Sequence, residues 1–297
     1  MDKKPNTRSM IFTLYGDYIR HYGNEIWIGS LIELLEPFDH NPQAVRAAIS
    51  RMNKQDWIAS RKEGNKSYYS LTKQGIKRME EAAGRIYSEK PTHWDEKWRM
   101  FLYTIPEEKR QIRDELRKEL EWSGFGLLSN GLWVTPNDLT QQVNDIIQKY
   151  EIEDYVHFFE SENIGPKDNQ QIVRECWDMD YIKKRYELFI NLYTEKFYQD
   201  REELKKGTVS DKECFVKRTR LVHYYRKSLF IDPGLPQELL PPNFIGEAAA
   251  NLFSEYYKLL AKPANAFFEE IFSKGYSEMK RNNDYDIYDH PLIKTEP

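Results

Sequence analysis

The stretch Asn41-Pro-Gln-Ala-Val-Arg-Ala-Ala-Ile-Ser-Arg-Met-Asn-Lys54, followed by Trp57-Ile-Ala-Ser-Arg-Lys-Glu-Gly-Asn-Lys-Ser-Tyr-Tyr-Ser-Leu-Thr72, decides the fold of the N-terminal part. Asn41 reads as a helix N-cap and Pro42 as the first helical residue, where a missing N–H costs nothing. Val45, Ala48, Ile49 and Met52 fall at i, i+3, i+4 and i+7 and face inward. That turns Gln43, Arg46, Ala47, Ser50, Arg51 and Lys54 outward. Small, hydrogen-bonding and basic side chains with no bulky acid suit a helix lying in a DNA major groove. Gln43, Arg46, Ala47, Ser50 and Arg51 are the expected base readers, and Lys54 an expected phosphate contact. The run after the helix is two extended segments about Gly64-Asn65, a pair that tolerates positive φ. It carries Arg61, Lys62 and Lys66 near its tip, each expected on the phosphate backbone.

Outward from this stretch the same plan continues. Ile11, Leu14, Tyr15, Tyr18, Ile19 and Tyr22 form one helical stripe within residues 8–22. A short helix fits Ser30 to Glu36, ended by Pro37, and Thr72 caps a fourth helix to about Ile86. Three helices, a hairpin and a closing helix over residues 1–88 predict a winged helix-turn-helix. An ordinary helical domain with a solvated basic face is the plainer reading of the same residues.

Charge supports the first reading only when it is divided. The 297 residues sum to a net −4. Residues 1–90 hold 15 Lys and Arg against 11 Asp and Glu, and residues 41–78 hold 9 against 2. The basic character is therefore confined to one end, and the acidic remainder is repelled by a duplex. Aromatic residues make up 14% of the chain, too many for a disordered one. No window approaches the roughly 18 apolar residues of a membrane helix, and the start lacks a signal peptide's apolar run. Two cysteines, Cys176 and Cys214, make neither a disulfide framework nor a zinc ribbon. A cytoplasmic location is expected.

Residues 95–172 read as strand, helix, strand, strand, helix, strand. Trp98 to Ile105 is extended, and Pro106-Glu-Glu opens a helix with Ile112, Leu116 and Leu120 on one side. Phe125 to Val134 is a hairpin about Asn130-Gly131, Leu139 to Tyr150 a helix and Tyr155 to Glu160 a strand. That order predicts a ferredoxin-like split βαβ domain. Residues 174–290 read as helices, with aromatic stripes at 182–197, 215–225, 252–260 and 267–272. Ser210-Asp-Lys-Glu213 is a capping box, and the polar tail from Arg281 is expected to fray. The fold class is therefore α+β: an N-terminal winged helix-turn-helix, a middle ferredoxin-like domain and a C-terminal helical domain.

The cluster Arg218-Thr-Arg-Leu-Val-His-Tyr-Tyr-Arg226 mixes Arg218, Arg220, His223 and Arg226 with Tyr224. Cations beside aromatic rings suit an acyl-coenzyme A thioester, which needs both for its phosphates and its acyl end. The same arginines also fit ion pairs with the surplus acids of residues 91–297. The six histidines (21, 40, 93, 157, 223 and 290) are scattered, and neither a phosphate loop nor a nucleophile elbow occurs. No enzyme, no metal and no cofactor is expected.

Arg8 to Asp17, Val45 to Met52 and Ser67 to Gly75 resemble the PaaX family of bacterial repressors. So do Trp94-Asp, Trp98-Arg, Ile105-Pro-Glu107, Gly124-Phe-Gly126 and Gly131 to Pro136, and near the end Asp232 to Pro236 and Leu239-Leu-Pro241. The resemblance implies a three-part, homodimeric repressor of phenylacetate catabolism that binds double-stranded operator DNA. It also implies release by phenylacetyl-coenzyme A and a middle domain like Cas2, a metal-dependent nuclease with an Asp at the end of its first strand. Here that strand ends without a carboxylate before Glu107. A Cas2-like hydrolase and a regulator of another acyl-coenzyme A pathway are the alternative readings.

Overall fold

The computed structural model describes residues 5–87 and 93–276. The tail from Arg281, with His290, lies outside them. The chain divides into two compact units, one formed by residues up to 88 with 189–226 and those from 248 onward, the other by 89–188 with 227–247.

The N-terminal elements are α1 (Thr7–Asp17), β1 (Glu25–Trp27), α2 (Ile28–Leu35), α3 (Pro42–Lys54), β2 (Ile58–Glu63), β3 (Lys66–Leu71) and α4 (Lys73–Tyr87). This is a winged helix-turn-helix with a three-stranded antiparallel sheet in the order β1-β3-β2. Its first strand is absent from the sequence reading. Three residues are too few to show a period of two. The stripe expected over residues 8–22 breaks at Tyr18 into α1 and a 3-10 turn (Ile19–Tyr22). Pro37 does not stop the second helix outright but sits inside a 3-10 turn (Glu36–Phe38) that follows it.

The middle elements are β4 (Lys97–Tyr103), α5 (Arg110–Ser123), β5 (Gly126–Ser129), β6 (Leu132–Thr135), α6 (Thr140–Tyr150) and β7 (Val156–Glu162). The antiparallel sheet order β5-β6-β4-β7 is that of a ferredoxin-like fold. Phe101, Tyr103 and Trp133 pack against Leu116 and Leu120 of α5 and Val143 and Ile146 of α6. Gly131 takes φ +80 at the hairpin turn, and a Cβ there would lie 2.8 Å from the Tyr103 carbonyl oxygen. A short helix not read from the sequence, α7 (Asn169–Cys176), follows with a full capping box from Asp168 and Gln171.

The long helices α8 (Met179–Lys205), α9 (Asp211–Leu229) and α10 (Gly246–Ser273) complete the chain. The Ser210 capping box forms, with the Ser210 N–H donating to Glu213 at 2.8 Å and the Glu213 N–H to Ser210 Oγ at 3.3 Å. The two stripes at 252–260 and 267–272 belong to one helix, α10, which carries Pro263 inside it. In the first unit α9 and α10 pack on the residue that caps α1, Tyr18, and on the turn that follows α2. Tyr18 stacks on Phe268 at 4.9 Å and meets Phe215 at 5.3 Å, while Phe38 meets Phe215 at 6.0 Å. Each such ring taken from water stabilises by about 1.5–3 kcal/mol. Buried on two sides, α1 shows no clean amphipathic stripe, and the polar side chains of Thr13 and Asp17 are buried with its apolar ones.

Candidate nucleic-acid interface

The Asn41 side chain accepts from the Ala44 N–H at 2.8 Å, which fixes the start of α3. Val45, Ala48, Ile49 and Met52 are buried, and this anchors the rotation of the helix. Gln43, Arg46, Ala47, Ser50, Arg51 and Lys54 are all exposed. Arg51 Nε also donates to the Ala47 carbonyl oxygen at 3.3 Å, a bond along its own helix. The face carries no carboxylate.

The wing cations differ from one another. Lys62 is exposed and makes no hydrogen bond or ion pair among the described residues. Arg61 is exposed too, but its Nε and Nη2 donate to the Glu25 carboxylate at 3.0 Å each and Nη1 donates to Glu63 at 2.5 Å. Its guanidinium lies over the Tyr68 ring at 4.5 Å. Lys66 is half-buried, and its ammonium donates to the carbonyl oxygens of Lys274 and Gly275 at 3.1 Å each. The hairpin reading placed all three together at the tip. It had no means to show that the end of the last helix meets the wing.

The 218–226 cluster is drawn toward α1. Arg218 is fully buried, with Nε 3.2 Å from Asp17 Oδ2 and Nη2 donating to Asp17 Oδ1 at 3.2 Å. It also donates to Asn265 Oδ1 at 2.5 Å and to the Tyr257 hydroxyl, and lies over the Tyr18 ring at 4.6 Å. Burial opposes the charge, but Asp17, Tyr18 and Tyr257 hold the guanidinium above its ordinary pKa. His223 Nδ1 is 3.1 Å from the Thr13 hydroxyl, and Arg226 donates to the Ser9 carbonyl oxygen at 2.8 Å. Arg220 is exposed, 6.0 Å over Phe38, and Tyr224 is half-buried beside Tyr193. Three of the five residues expected at an effector thus join α9 to α1. The buried partner of Arg218 is Asp17, not an acid of residues 91–297. Asp17, Tyr257 and Asn265 were missed; an acid within an otherwise apolar helical stripe was the available signal.

Three family models match in chain order: the PaaX-like protein model over residues 6–75, the PaaX central Cas2-like domain over 91–173 and the PaaX-like C-terminal domain over 177–270. The Transcriptional repressor PaaX of Escherichia coli (strain K12) is 32% identical over 265 residues, which span 88% of this chain and 83% of that protein. The chain belongs to the PaaX family. A solved structure of an uncharacterised Mycobacterium tuberculosis protein is similar in fold, with a TM-score of 0.53 and 19% identity, covering 89% of this chain and 99% of that one.

In this PaaX-family chain the middle, Cas2-like domain holds several of its acids in ion pairs, among them those at and beside β4. Glu107, the first carboxylate after β4, accepts from Arg113 at 2.8 Å, and Arg113 with Arg110 holds it below the usual carboxylate range. Buried Arg99 on β4 pairs with Asp95 at 2.5 Å and Glu160 at 3.2 Å. Among the described residues no three His, Cys, Asp or Glu side chains converge to hold a metal ion. A cleft of about 520 Å³ beside α7 is lined by Arg174, Cys176, Trp177, Asp178, Pro241 and Pro242. Burial pushes the Cys176 thiol up to about 12, which makes it a poor nucleophile. No helix among the described residues is long and apolar enough to cross a membrane.

Proposed function

We propose that this chain is a DNA-binding transcriptional repressor of phenylacetate catabolism, released from its operator by an aryl- or acyl-coenzyme A thioester, phenylacetyl-coenzyme A in the first instance. The observation that carries the reading is the exposed, acid-free outer face of α3 within a winged helix-turn-helix. Family membership and the similarity to a protein named as a transcriptional repressor support it. Gln43, Arg46, Ala47, Ser50 and Arg51 read bases, while Lys54 and Lys62 meet phosphates. A homodimer places two such readers on a twofold operator. Arg220 and Tyr224 offer side chains to the effector, and Arg218, His223 and Arg226 pass its occupancy to α1. Coupling of this kind is typically about 1–3 kcal/mol.

Base and phosphate contacts fail differently. Arg46→Ala is expected to cost about 1–3 kcal/mol of operator affinity and to relax specificity at one base pair. Lys62→Ala should weaken all sequences alike and shallow the salt dependence by roughly one unit of slope. Fluorescence anisotropy on matched and mismatched duplexes across a salt series separates the two. If neither variant changes binding, α3 and the wing do not face DNA.

The decisive experiment is a gel shift on the DNA upstream of the chain's own gene, with phenylacetyl-coenzyme A titrated against free phenylacetate and other thioesters. Release by the thioester alone supports the reading, and release by a different thioester moves the chain to another pathway. Cleaved DNA in the presence of Mg²⁺ would identify a hydrolase instead.

A further inference from the structure

The end of α10 meets the wing through a dense set of polar contacts within the first unit. The Lys66 ammonium reaches two carbonyl oxygens there, and the Tyr68 hydroxyl donates to that of Gly275 at 2.6 Å. In return the Tyr276 hydroxyl donates to the Glu25 carbonyl oxygen on β1 at 2.9 Å, and Lys274 pairs with Glu33 on α2 at 2.6 Å. Ser30 donates to the Ile271 carbonyl oxygen at 2.8 Å. The Tyr68 and Tyr276 rings lie 5.3 Å apart. Lys274 and Gly275 form the turn just past Ser273, at the negative end of the α10 dipole, where a lysine and two hydroxyls supply donors that the helix itself cannot. Two of the three N–H donors of Lys66 are taken by these carbonyls, which hold the ammonium against the turn after α10 rather than free at the wing tip.

We propose that Lys66 and Tyr68 are positioning residues that fasten the wing to the C-terminal end of α10, so that α10 sets the wing's angle to DNA. The inference rests on the DNA-reading function proposed above. It assigns the wing's phosphate contact to Lys62 and withdraws Lys66 from it. Gly275 offers an independent way in: a Cβ there would lie 2.8 Å from Trp27 Cβ, the stem of the side chain rather than its flexible far end, so the two segments would have to shift apart.

The test compares Tyr68→Phe, Lys66→Ala, Lys66→Arg and Gly275→Ala with the parent chain. Affinity for the upstream duplex is measured across a salt series, at a temperature where circular dichroism shows each variant fully folded. Tyr68→Phe, Lys66→Ala and Gly275→Ala should each weaken binding about three- to tenfold with the salt slope unchanged. Lys66→Arg, which keeps the donors, should recover most of the loss. Hydrogen exchange should rise together in residues 66–71 and 271–276. A salt slope reduced by one unit in Lys66→Ala makes Lys66 a phosphate contact and overturns the proposal. Unchanged affinity with a lowered melting temperature overturns it too, since the joint is then only structural. A parent chain that shows no salt-dependent binding to duplex removes the DNA-reading function itself, and that result is seen before any variant is made.

Discussion

Arg218→Met is expected to destabilise the first unit by about 3–5 kcal/mol, the usual cost of removing one partner from a buried ion pair. Both members of the pair are fully buried, so the variant strands the Asp17 carboxylate in a site that water does not reach. The Tyr257 hydroxyl donates to Asp17 Oδ1 at 2.8 Å and would remain, but a single neutral donor does not replace a guanidinium. The methionine fills much of the arginine's volume, so the loss reports charge rather than a cavity. Urea unfolding of parent and variant measures it. The double variant Asp17→Leu with Arg218→Met should be less damaged than Arg218→Met alone, because no unpaired charge is left behind. A loss below about 1 kcal/mol in the single variant would falsify the burial argument, since exposed pairs contribute that little.

Acidification should unfold the same unit early, and His21 is the reason. Its side chain is 2% exposed, and Arg20 Nε donates to its Nε2 at 3.3 Å. Burial first, then the positive charges of Arg20 and Arg218, lowers its pKa from 6.5 to about 3. Between those two values the unfolded chain binds a proton that the folded chain refuses. Stability is therefore fully retained above pH 6.5 and declines as the pH falls toward 3. The steepest decline from this one group is about 1.4 kcal/mol per pH unit. Between pH 6.5 and 4.5 that amounts to roughly 2–3 kcal/mol. His21→Gln should flatten the curve over this window, as read from urea midpoints at half-unit pH steps. Parallel curves for parent and variant would show that His21 is not the group responsible.

The parts of the fold legible in the sequence were those whose signals are local. Asn41-Pro42 and the spacing of Val45, Ala48, Ile49 and Met52 specify α3 and its exposed face within fourteen residues. Asn130-Gly131 likewise marks the β5–β6 turn. Strand β1 was illegible because three residues become a strand only when β3 arrives to pair with them, Ile26 opposite Tyr69. The single helix α10 was read as two separate stripes; Pro263 lies between them, and although proline normally breaks a helix, the lost ladder bond is tolerated here inside a packed element. The cluster at 218–226 was legible only in part, for a related reason. Counting cations beside aromatics gives their number but not their partners, and those partners (Asp17, Ser9 and Asn265) are dispersed along the chain. For Lys66 the hairpin supplied the position, while the carbonyls that engage it lie 208 and 209 residues away.

Those separations also set a timetable. Asp17 meets Arg218 across 201 residues, Tyr257 across 240, and Tyr22 meets Glu269 across 247. At roughly 5–20 residues per second, a ribosome that has released α1 takes on the order of 10–50 s to supply the helices that cover it. For that interval the nascent reader exposes Tyr18, Tyr22 and the carboxylate of Asp17. It becomes complete only after the Cas2-like domain has been made.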